Sequence, residues 1–202
     1  MLIYGAGGHA KVVLDCIRGM GKDVSVFFDD SNELTELKGI PVVSPYNPDV
    51  KYREEMVIAV GDNLLRKQIA EKVKHRFGEA IHSSARLSHY SFLDEGTVVM
   101  PNVIVNADAV VGKHCILNSA SVVEHDCIVE DFVHIAPTAV LGGGVKVGEG
   151  TLIGIGAMLL PFVTVGKWCI VGAGAVVTAD VPDFSVVAGV PAYPINRTGA
   201  QV

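Results

Sequence analysis

Every sixth residue from Ile81 to Val177 is aliphatic, a period that fits neither an amphipathic helix nor an alternating strand. The fourth residue after each of these is small, being Ala, Ser, Thr, Cys or Val from Ala85 to Val181. A six-residue unit of this kind supplies one short strand and one corner, and three units close a triangular coil. The pattern therefore predicts a parallel β-helix of hexapeptide repeats, in which each coil is stable only when stacked on its neighbours.

The residues around each aliphatic have predicted places in this coil. Three of the four cysteines fall on the small inward position, so we expect buried apolar side chains rather than nucleophiles or metal ligands. Glycine or a polar residue often follows the aliphatic directly, where we expect the backbone to turn. These residues are Gly112, Asn118, Gly148, Gly154, Gly166 and Gly172. The period leaves the hand of the coil open.

Strand-like and helix-like segments alternate in the first eighty residues, which predicts a small Rossmann-like α/β domain. Strands are expected at 2–4, 24–28 and 56–60, with a helix after the first strand. A closing helix is expected from the i, i+4 series Leu65, Ile69, Val73 and Phe77. We therefore divide the chain into an α/β domain at 1–80 and a β-helix with a C-terminal tail at 81–202.

A glycine-rich loop, containing Gly7, Gly8 and His9, joins the first strand to the first helix. Backbone N–H groups and the helix dipole favour an anion at such a place. The spacing fits a dinucleotide fingerprint loosely, but the segment is half of a usual dinucleotide domain, so a mononucleotide or nucleotide-sugar fits better. A tight turn without a ligand remains the alternative.

Three further residues lie at the carboxyl ends of predicted strands, where ligands bind in open α/β sheets. Asp29 and Asp30 follow the second strand, and Gly61 follows the third. The alternatives are a solvated strand end for the two acids and a plain turn glycine for Gly61.

His125 is the candidate catalytic base, because it points outward from its hexad and lies between Glu124 and Asp126. A flanking carboxylate can orient the ring and stabilise the imidazolium. Gly143 lies one coil later, where its N–H could bond a ligand or an oxyanion. An exposed polar residue without a catalytic role is the alternative for His125.

Stacked glycines suggest a groove along the coil. Gly154 falls under Gly172, and Gly156 under Gly174, which would leave a track free of side chains for an extended pantetheine arm. The alternative is that these glycines serve only the corners. His134 replaces the usual outward aliphatic, so it is either a contact at a subunit interface or a tolerated outward residue.

Composition excludes several classes of function. The net charge is -6 and the lysines and arginines are scattered, which argues against nucleic-acid binding. No apolar run approaches the roughly 18 residues of a membrane-spanning helix. No signal peptide and no CxxC pair is evident, so we expect a cytoplasmic protein with reduced thiols. His114, His125 and His134 lack paired-ligand spacing, and we expect no metal.

Five segments together resemble the bacterial nucleotide-sugar and sialic-acid acetyltransferases. They are GAGGHAK, FFDD, AVGDNLLRKQI, NSASVVEHDCIV and VVAGVPA. The resemblance covers nearly the whole chain and implies a left-handed β-helix that assembles as a homotrimer, with active sites between subunits. It also implies a role in glycan biosynthesis. Acetyl-CoA would lie along the coil, and the nucleotide-sugar would bind the N-terminal domain.

The resemblance also assigns residues. It makes His125 the general base, oriented by Asp126, although the short aspartate leaves that role open to Glu124. Asn118, His134, Gly143 and the neighbourhood of Ala173 match acetyl-CoA positions. Nucleotide-sugar positions are matched by Gly7, Gly8, His9, Asp29, Asp30 and Gly61. Tyr193 stands where many relatives carry a basic residue, which leaves a CoA-phosphate contact to Arg197.

Three functions remain open on the sequence. The favoured one is direct N-acetylation of a nucleotide-linked amino-sugar, of the UDP-4-amino-sugar or GDP-perosamine type, without an acyl-enzyme intermediate. The alternatives are O-acetylation of sialic acid or another sugar hydroxyl, and a non-catalytic scaffold that binds nucleotide-sugars.

Overall fold

A computed structural model of the protein describes residues 1–31 and 34–195. The N-terminal part is a five-stranded sheet in the order β3-β4-β2-β1-β5, in which β1 pairs in parallel with β2 and β5. The strands are β1 Leu2–Tyr4, β2 Val26–Phe28, β3 Glu36–Leu37, β4 Ile40–Val43 and β5 Met56–Ile58. The three predicted strands are confirmed, whereas the antiparallel hairpin β3–β4 was not predicted.

Two helices pack beside this sheet, α1 (Gly8–Gly19) and α2 (Asn63–Lys72). Asp62 caps α2, because its side chain accepts a hydrogen bond from the Leu65 amide at 2.7 Å. The predicted apolar face of α2 is correct only in part: Ile69 is buried, but Leu65 is 47 % exposed and the helix ends before Val73. The charged Arg66 is also buried, which was not predicted.

The rest of the described chain is a coil of two-residue strands and tight corners, as the period predicts. The strands are β6 Ala80–Ile81, β7 Arg86–Leu87, β8 Phe92–Leu93, β9 Val98–Val99, β10 Ile104–Val105, β11 Val110–Val111, β12 Ile116–Leu117, β13 Val122–Val123, β14 Ile128–Val129, β15 His134–Ile135, β16 Val140–Leu141, β17 Lys146–Val147, β18 Leu152–Ile153, β19 Met158–Leu159, β20 Thr164–Val165, β21 Ile170–Val171 and β22 Val176–Val177. Two strands close it, β23 Val186–Ala188 and β24 Tyr193–Pro194.

These strands form three sheets, of eight, six and five strands, one on each side of the coil. From β6 to β22, each strand residue pairs with one eighteen positions away, as Val105 does with Val123 and Val123 with Leu141. The final turn is shorter, because Val171 pairs with Val187, sixteen residues on. From Val99 to Val177 the inward aliphatic is at most 3 % exposed. Cys115, Cys127 and Cys169 are also buried, which confirms their predicted place in the core.

Three columns of corners connect the sheets. The first corner leads from the eight-stranded to the six-stranded sheet and holds residues 118–121, 136–139, 154–157 and 172–175. The second corner leads to the five-stranded sheet and holds 124–127, 142–145 and 160–163. The third corner returns to the eight-stranded sheet through 112–115, 130–133, 148–151 and 166–169.

Each corner begins directly after the aliphatic, as predicted, but its first residue is not the one in the left-handed conformation. The left-handed conformation falls three residues after the aliphatic, at every sixth residue from Gly96 (φ 75°) to Gly174 (φ 65°), and most of these residues are not glycine. The glycine directly after the aliphatic has another role. A Cβ on Gly148 would lie 2.6 Å from the carbonyl carbon of Gly166, and one on Gly154 would lie 2.5 Å from the Val171 oxygen. These glycines let adjacent coils approach closely.

This difference predicts unequal costs for two glycine substitutions. Gly148→Ala places a methyl group against the backbone of the next coil, and we expect a loss of about 3 kcal/mol from overpacking. Gly174→Ala meets no atom within 4 Å, so it carries only the left-handed strain of about 1–2 kcal/mol. Thermal unfolding followed by circular dichroism should show the larger drop for Gly148→Ala, and the reverse order would contradict the assignment.

Candidate functional site

His125 lies at the second corner with an exposed side chain, and its Nδ1 is 2.7 Å from Asp126 Oδ2. The hydrogen bond to Asp126 raises the pKa of His125, desolvation lowers it slightly, and the charges of Asp126 and Glu124 raise it further. Glu124 turns away from the ring and accepts a hydrogen bond from Asn106 Nδ2 at 2.8 Å. Of the two candidate orienting acids, the structure therefore places Asp126 on the ring.

Gly143 lies one coil beyond His125, against the imidazole. A Cβ at this position would be 2.7 Å from both Cε1 and Nε2 of His125. Gly143 does not have a left-handed φ, so the absence of a side chain provides space for the ring and not a turn. The Gly144 amide donates to the His125 carbonyl oxygen at 2.9 Å, which fixes the two corners in register.

A second group of predicted residues gathers around His134, on the outward side of the eight-stranded sheet. His134 Nε2 lies 3.0 Å from Asn118 Nδ2, so the ring nitrogen accepts from the amide and the imidazole is neutral. Burial lowers the pKa of His134 to about 3, with the charges of Arg66 and His9 adding to this and a hydrogen bond with the Gly61 backbone opposing it. His134, Asn118, His9 and Gly61 are thus brought together within one protomer.

The glycine loop lies next to this group. Gly7 and Gly8 have no atom within 4 Å of where a Cβ would be, and α1 begins at Gly8 without a side-chain cap. His9 Nε2 is buried and has no hydrogen-bond partner within residues 1–31 and 34–195. Burial, followed by the charge of Arg66, lowers the pKa of His9 to about 4. The loop therefore presents free N–H groups beside a neutral histidine.

Asp29 supports the glycine loop from behind, because its Oδ2 accepts from the Ala6 amide at 2.7 Å and its Oδ1 from the Ser31 amide at 2.9 Å. Burial raises the pKa of Asp29, but these hydrogen bonds bring it below its ordinary value. Asp29 is the acid that shapes the loop.

Asp30 binds two side chains as well as one backbone amide, that of Tyr46, which donates to Oδ1 at 3.2 Å. Its Oδ2 accepts from the Tyr4 hydroxyl at 2.7 Å and from Lys72 Nζ at 2.6 Å. Burial and the hydrogen bond to Asp30 raise the pKa of Tyr4 to about 12.

Only part of the predicted glycine track is open. Gly154 and Gly172 pack against the next coil. A Cβ on Gly172 would lie 2.9 Å from Ala188 Cβ. Gly156 and Gly174 do face free space, and the exposed Ala173 lies between the columns. Tyr193 is 65 % exposed. Arg197, the alternative phosphate contact, lies outside the described residues.

One protomer keeps the predicted site residues on two separate corners. His125 and Gly143 lie on the second corner, while Asn118, Gly154, Gly172 and Ala173 lie on the first. The six-stranded sheet separates the two corners. Its outward side chains are apolar apart from Arg86, and they are Ile104, Val122, Val140, Met158 and Val176.

The sequence prediction missed Arg66, which bonds both to Gly61 and to the coil. The motif AVGDNLLRKQI contains it, but an arginine on an amphipathic helix is usually a solvated residue.

Two searches of the described chain gave negative results. No helix within residues 1–31 and 34–195 is long and apolar enough to cross a membrane. In the same part of the chain, no group of three or more His, Cys, Asp or Glu side chains could hold a metal ion.

Two family models match the chain. Residues 1–73 match the PglD N-terminal domain, and residues 144–179 match the bacterial transferase hexapeptide of six repeats. GDP-perosamine N-acetyltransferase of Escherichia coli O157:H7 is 26 % identical over 99 % of this chain and 98 % of its own. The chain also matches serine acetyltransferases, of which it spans about half the length, 54 % for serine acetyltransferase 2 of Arabidopsis thaliana.

Two groups of solved structures are similar over nearly their whole length. A variant of perosamine N-acetyltransferase from Caulobacter crescentus, in complex with CoA and GDP-perosamine, is 38 % identical with a TM-score of 0.93, and 97 % of this chain and 96 % of that chain are covered. The acetyltransferase domain of PglB from Neisseria gonorrhoeae FA1090, in complex with acetyl coenzyme A, is 36 % identical with a TM-score of 0.89, covering 96 % and 98 %. The coil is accordingly a left-handed β-helix.

The buried positions of His9 and His134 predict how the free energy of unfolding depends on pH. His9 and His134 have folded pKa values of about 4 and about 3, below the ordinary 6.5, so the unfolded chain binds more protons at mildly acidic pH. Their contribution is complete above pH 6.5 and is lost as the pH falls towards the folded values. By pH 5 we expect a loss of roughly 2 kcal/mol for each histidine.

Melting temperatures between pH 7.5 and 5 measure this effect. The double variant His9→Gln/His134→Gln should lose less stability over this interval than the wild type, while His89→Gln, at an exposed position, should follow the wild type. Equal pH dependence of the double variant and the wild type would contradict the assignment.

Proposed function

Since the chain belongs to the family of bacterial nucleotide-sugar acetyltransferases, we propose that it transfers the acetyl group of acetyl-CoA to the amino group of a nucleotide-linked amino-sugar. The observation that carries the proposal is the pairing of His125 with Asp126 at 2.7 Å, directly against the bare backbone of Gly143. A sugar of the UDP-4-amino-sugar or GDP-perosamine type is the substrate class.

His125 acts as the general base in this proposal. Its Nε2 removes a proton from the neutral sugar amine as the nitrogen lone pair attacks the thioester carbonyl carbon, and the C–N bond forms as the tetrahedral intermediate develops. Asp126 holds Nδ1–H and stabilises the imidazolium. The imidazolium then returns its proton to the departing CoA thiolate as the C–S bond breaks.

The Gly143 amide is the proposed oxyanion donor. It donates to no group in the part of the chain that the structure describes, and Gly143 has no side chain of its own. A preorganised backbone N–H beside the base stabilises the charge that develops on the carbonyl oxygen.

In the proposed division of labour, residues 1–80 bind the nucleotide-sugar and residues 81–202 bind acetyl-CoA. The nucleotide phosphates would meet the open N–H groups of Gly7 and Gly8, beside His9 and Gly61. Asp29 then acts through the loop that it supports, and Asp30 through Tyr4 and Lys72. Asn118, His134, Gly154, Gly172 and Ala173 belong to the acetyl-CoA side, with Gly156 and Gly174 supplying the open space.

The proposed assembly is a homotrimer with its active sites between subunits. Its support is the separation within one protomer of His125, on the second corner, from Asn118 on the first corner and His134 on the eight-stranded sheet. The apolar outward face of the six-stranded sheet lies between those corners and is suited to packing against a partner subunit.

Thiol release from acetyl-CoA tests the function directly, with UDP- and GDP-linked amino-sugars and sialic acid as a panel of acceptors. We expect turnover with a nucleotide-linked amino-sugar. Turnover with sialic acid alone would support the alternative, an O-acetyltransferase, and saturable nucleotide-sugar binding without turnover would support a scaffold.

The two acidic neighbours of His125 provide a matched pair of variants. His125→Ala should lower kcat by about 10²–10⁴-fold, the usual contribution of a general base. Asp126→Ala should also lower kcat, and its pH–rate profile should shift to a lower pKa because the raising hydrogen bond is lost. Glu124→Ala keeps that hydrogen bond and should retain most of the activity. A larger defect in Glu124→Ala than in Asp126→Ala would contradict the assigned roles.

Gly7→Asp tests the loop without damaging the fold. Gly7 is the N-cap of α1, has an extended backbone and has free space for a side chain. Aspartate at an N-cap stabilises a helix, so we expect an unchanged or raised melting temperature. The added carboxylate would repel the nucleotide phosphates and raise KM for the nucleotide-sugar at least tenfold, while KM for acetyl-CoA stays constant. An unchanged KM for the nucleotide-sugar would contradict the proposal that the glycine loop binds its phosphates.

A further inference from the structure

Arg66 is a buried cation whose donors are all used inside the protein. Its side chain is 1 % exposed, and an arginine has five N–H groups. Nε donates to the His114 carbonyl (2.8 Å), Nη1 to the carbonyls of Val60 (3.0 Å) and Gly61 (3.3 Å), and Nη2 to Asn63 Oδ1 (2.7 Å) and the Phe132 carbonyl (2.8 Å). These contacts leave no N–H for a ligand, so any role of Arg66 in the reaction is indirect.

The five acceptors come from the two parts of the protein. Val60 and Gly61 follow the carboxyl end of β5 and form a wall of the proposed nucleotide-sugar pocket. His114 and Phe132 lie eighteen residues apart on the third corner, where their rings stack with an interplanar angle of 10°. One guanidinium therefore bonds the pocket wall to two successive coils.

The same guanidinium faces the groups around His134. The Gly61 backbone that accepts from Arg66 is also one of the groups that influence the pKa of His134, whose Nε2 lies 3.0 Å from Asn118 Nδ2. Arg66 and His9 are the charged or titratable groups that face the His134 ring, and both disfavour the imidazolium. Arg66 itself stays charged at neutral pH, although burial lowers its pKa to about 10.

We propose that Arg66 is a positioning residue for acetyl transfer: it holds the segment after β5 that contains Gly61 against the coil, close to His134, and thereby sets the relation between the two substrate sites. The inference rests on the proposed function. The hydrogen bonds of Arg66 then fix how a nucleotide-sugar held by residues 1–80 is oriented towards the acetyl group, and neither substrate takes part in these bonds.

Lysine cannot replace this arginine. Its ammonium carries three donors from a single point, so it cannot reach carbonyls in both parts of the protein at once. Arg66→Lys keeps the positive charge but loses hydrogen bonds between the two parts, whereas Arg66→Met removes the charge and all five hydrogen bonds. Lys67→Met is the matched control, because Lys67 is the next residue of α2 and joins the coil from the surface, through an ion pair with Glu149 at 2.6 Å and contacts with the rings of Phe132 and Trp168.

Steady-state kinetics of the full-length protein are the first measurement. A misplacement of about 1 Å costs up to 10²-fold in rate, so we expect Arg66→Lys to lower kcat/KM for the nucleotide-sugar by about 10- to 100-fold. Lys67→Met should change it less than twofold. A purely structural role would lower the melting temperature of Arg66→Lys and leave kcat/KM unchanged, which would overturn the inference.

Histidine NMR is the second measurement, and it does not depend on activity or on the folding of a variant. In the wild type, the His134 ring should stay neutral with a proton on Nδ1 down to pH 5. In Arg66→Lys or Arg66→Met, whichever folds, its tautomer signal should broaden or exchange. A His134 that titrates near 6.5 in the wild type would overturn the inference even if the protein is an active acetyltransferase, and an inactive protein with the predicted NMR behaviour would overturn only the proposed function.

Discussion

Parallel hydrogen bonds between successive coils place each residue beside the one eighteen positions later, and the placement of the chemistry on this protein depends on that register. Leu141 pairs with Val123, so Gly143 must lie against His125. The left-handed residue at every sixth position lets each strand of two residues end in the same corner. The corners share one backbone shape, so the side chains that they carry distinguish one corner from another. One corner carries His125 with Asp126, and the corner one coil later carries the bare backbone of Gly143.

The register alone does not build a nucleotide-sugar site, because the coil and the α/β part must also hold a fixed relation. Arg66 makes that connection at the cost of burying a charge, which its five hydrogen bonds to neutral oxygens offset. Burial keeps His9 and His134 neutral, and the charge of Arg66 adds to this effect. A hydrophobic contact could join the same surfaces but would not add the effect of this charge on the two pKa values.

The sequence predicted the coil closely because its period follows directly from packing: an inward aliphatic recurs wherever a strand recurs. It also placed Gly143 against His125, since counting by eighteen is a geometric operation. It failed for contacts between segments whose relative position the period does not determine. The turn was assigned to the glycines after the aliphatic, although these serve the approach of the next coil, as Gly148 shows. Arg66 was missed because helical periodicity describes amphipathic faces and gives no sign of a charged residue that finds backbone oxygens on another part of the chain.

The central claim is that the site is complete only between protomers, with His125 supplied by one and the glycine loop, His134 and Asn118 by the next. Mixing His125→Ala protomers with Gly7→Asp protomers after unfolding, and refolding them together, measures this most directly. In a closed cyclic trimer a random mixture should recover about a quarter of the wild-type thiol release, because a mixed trimer contains one site with both intact halves. No recovery in trimers whose mixing is verified by mass spectrometry would contradict the account.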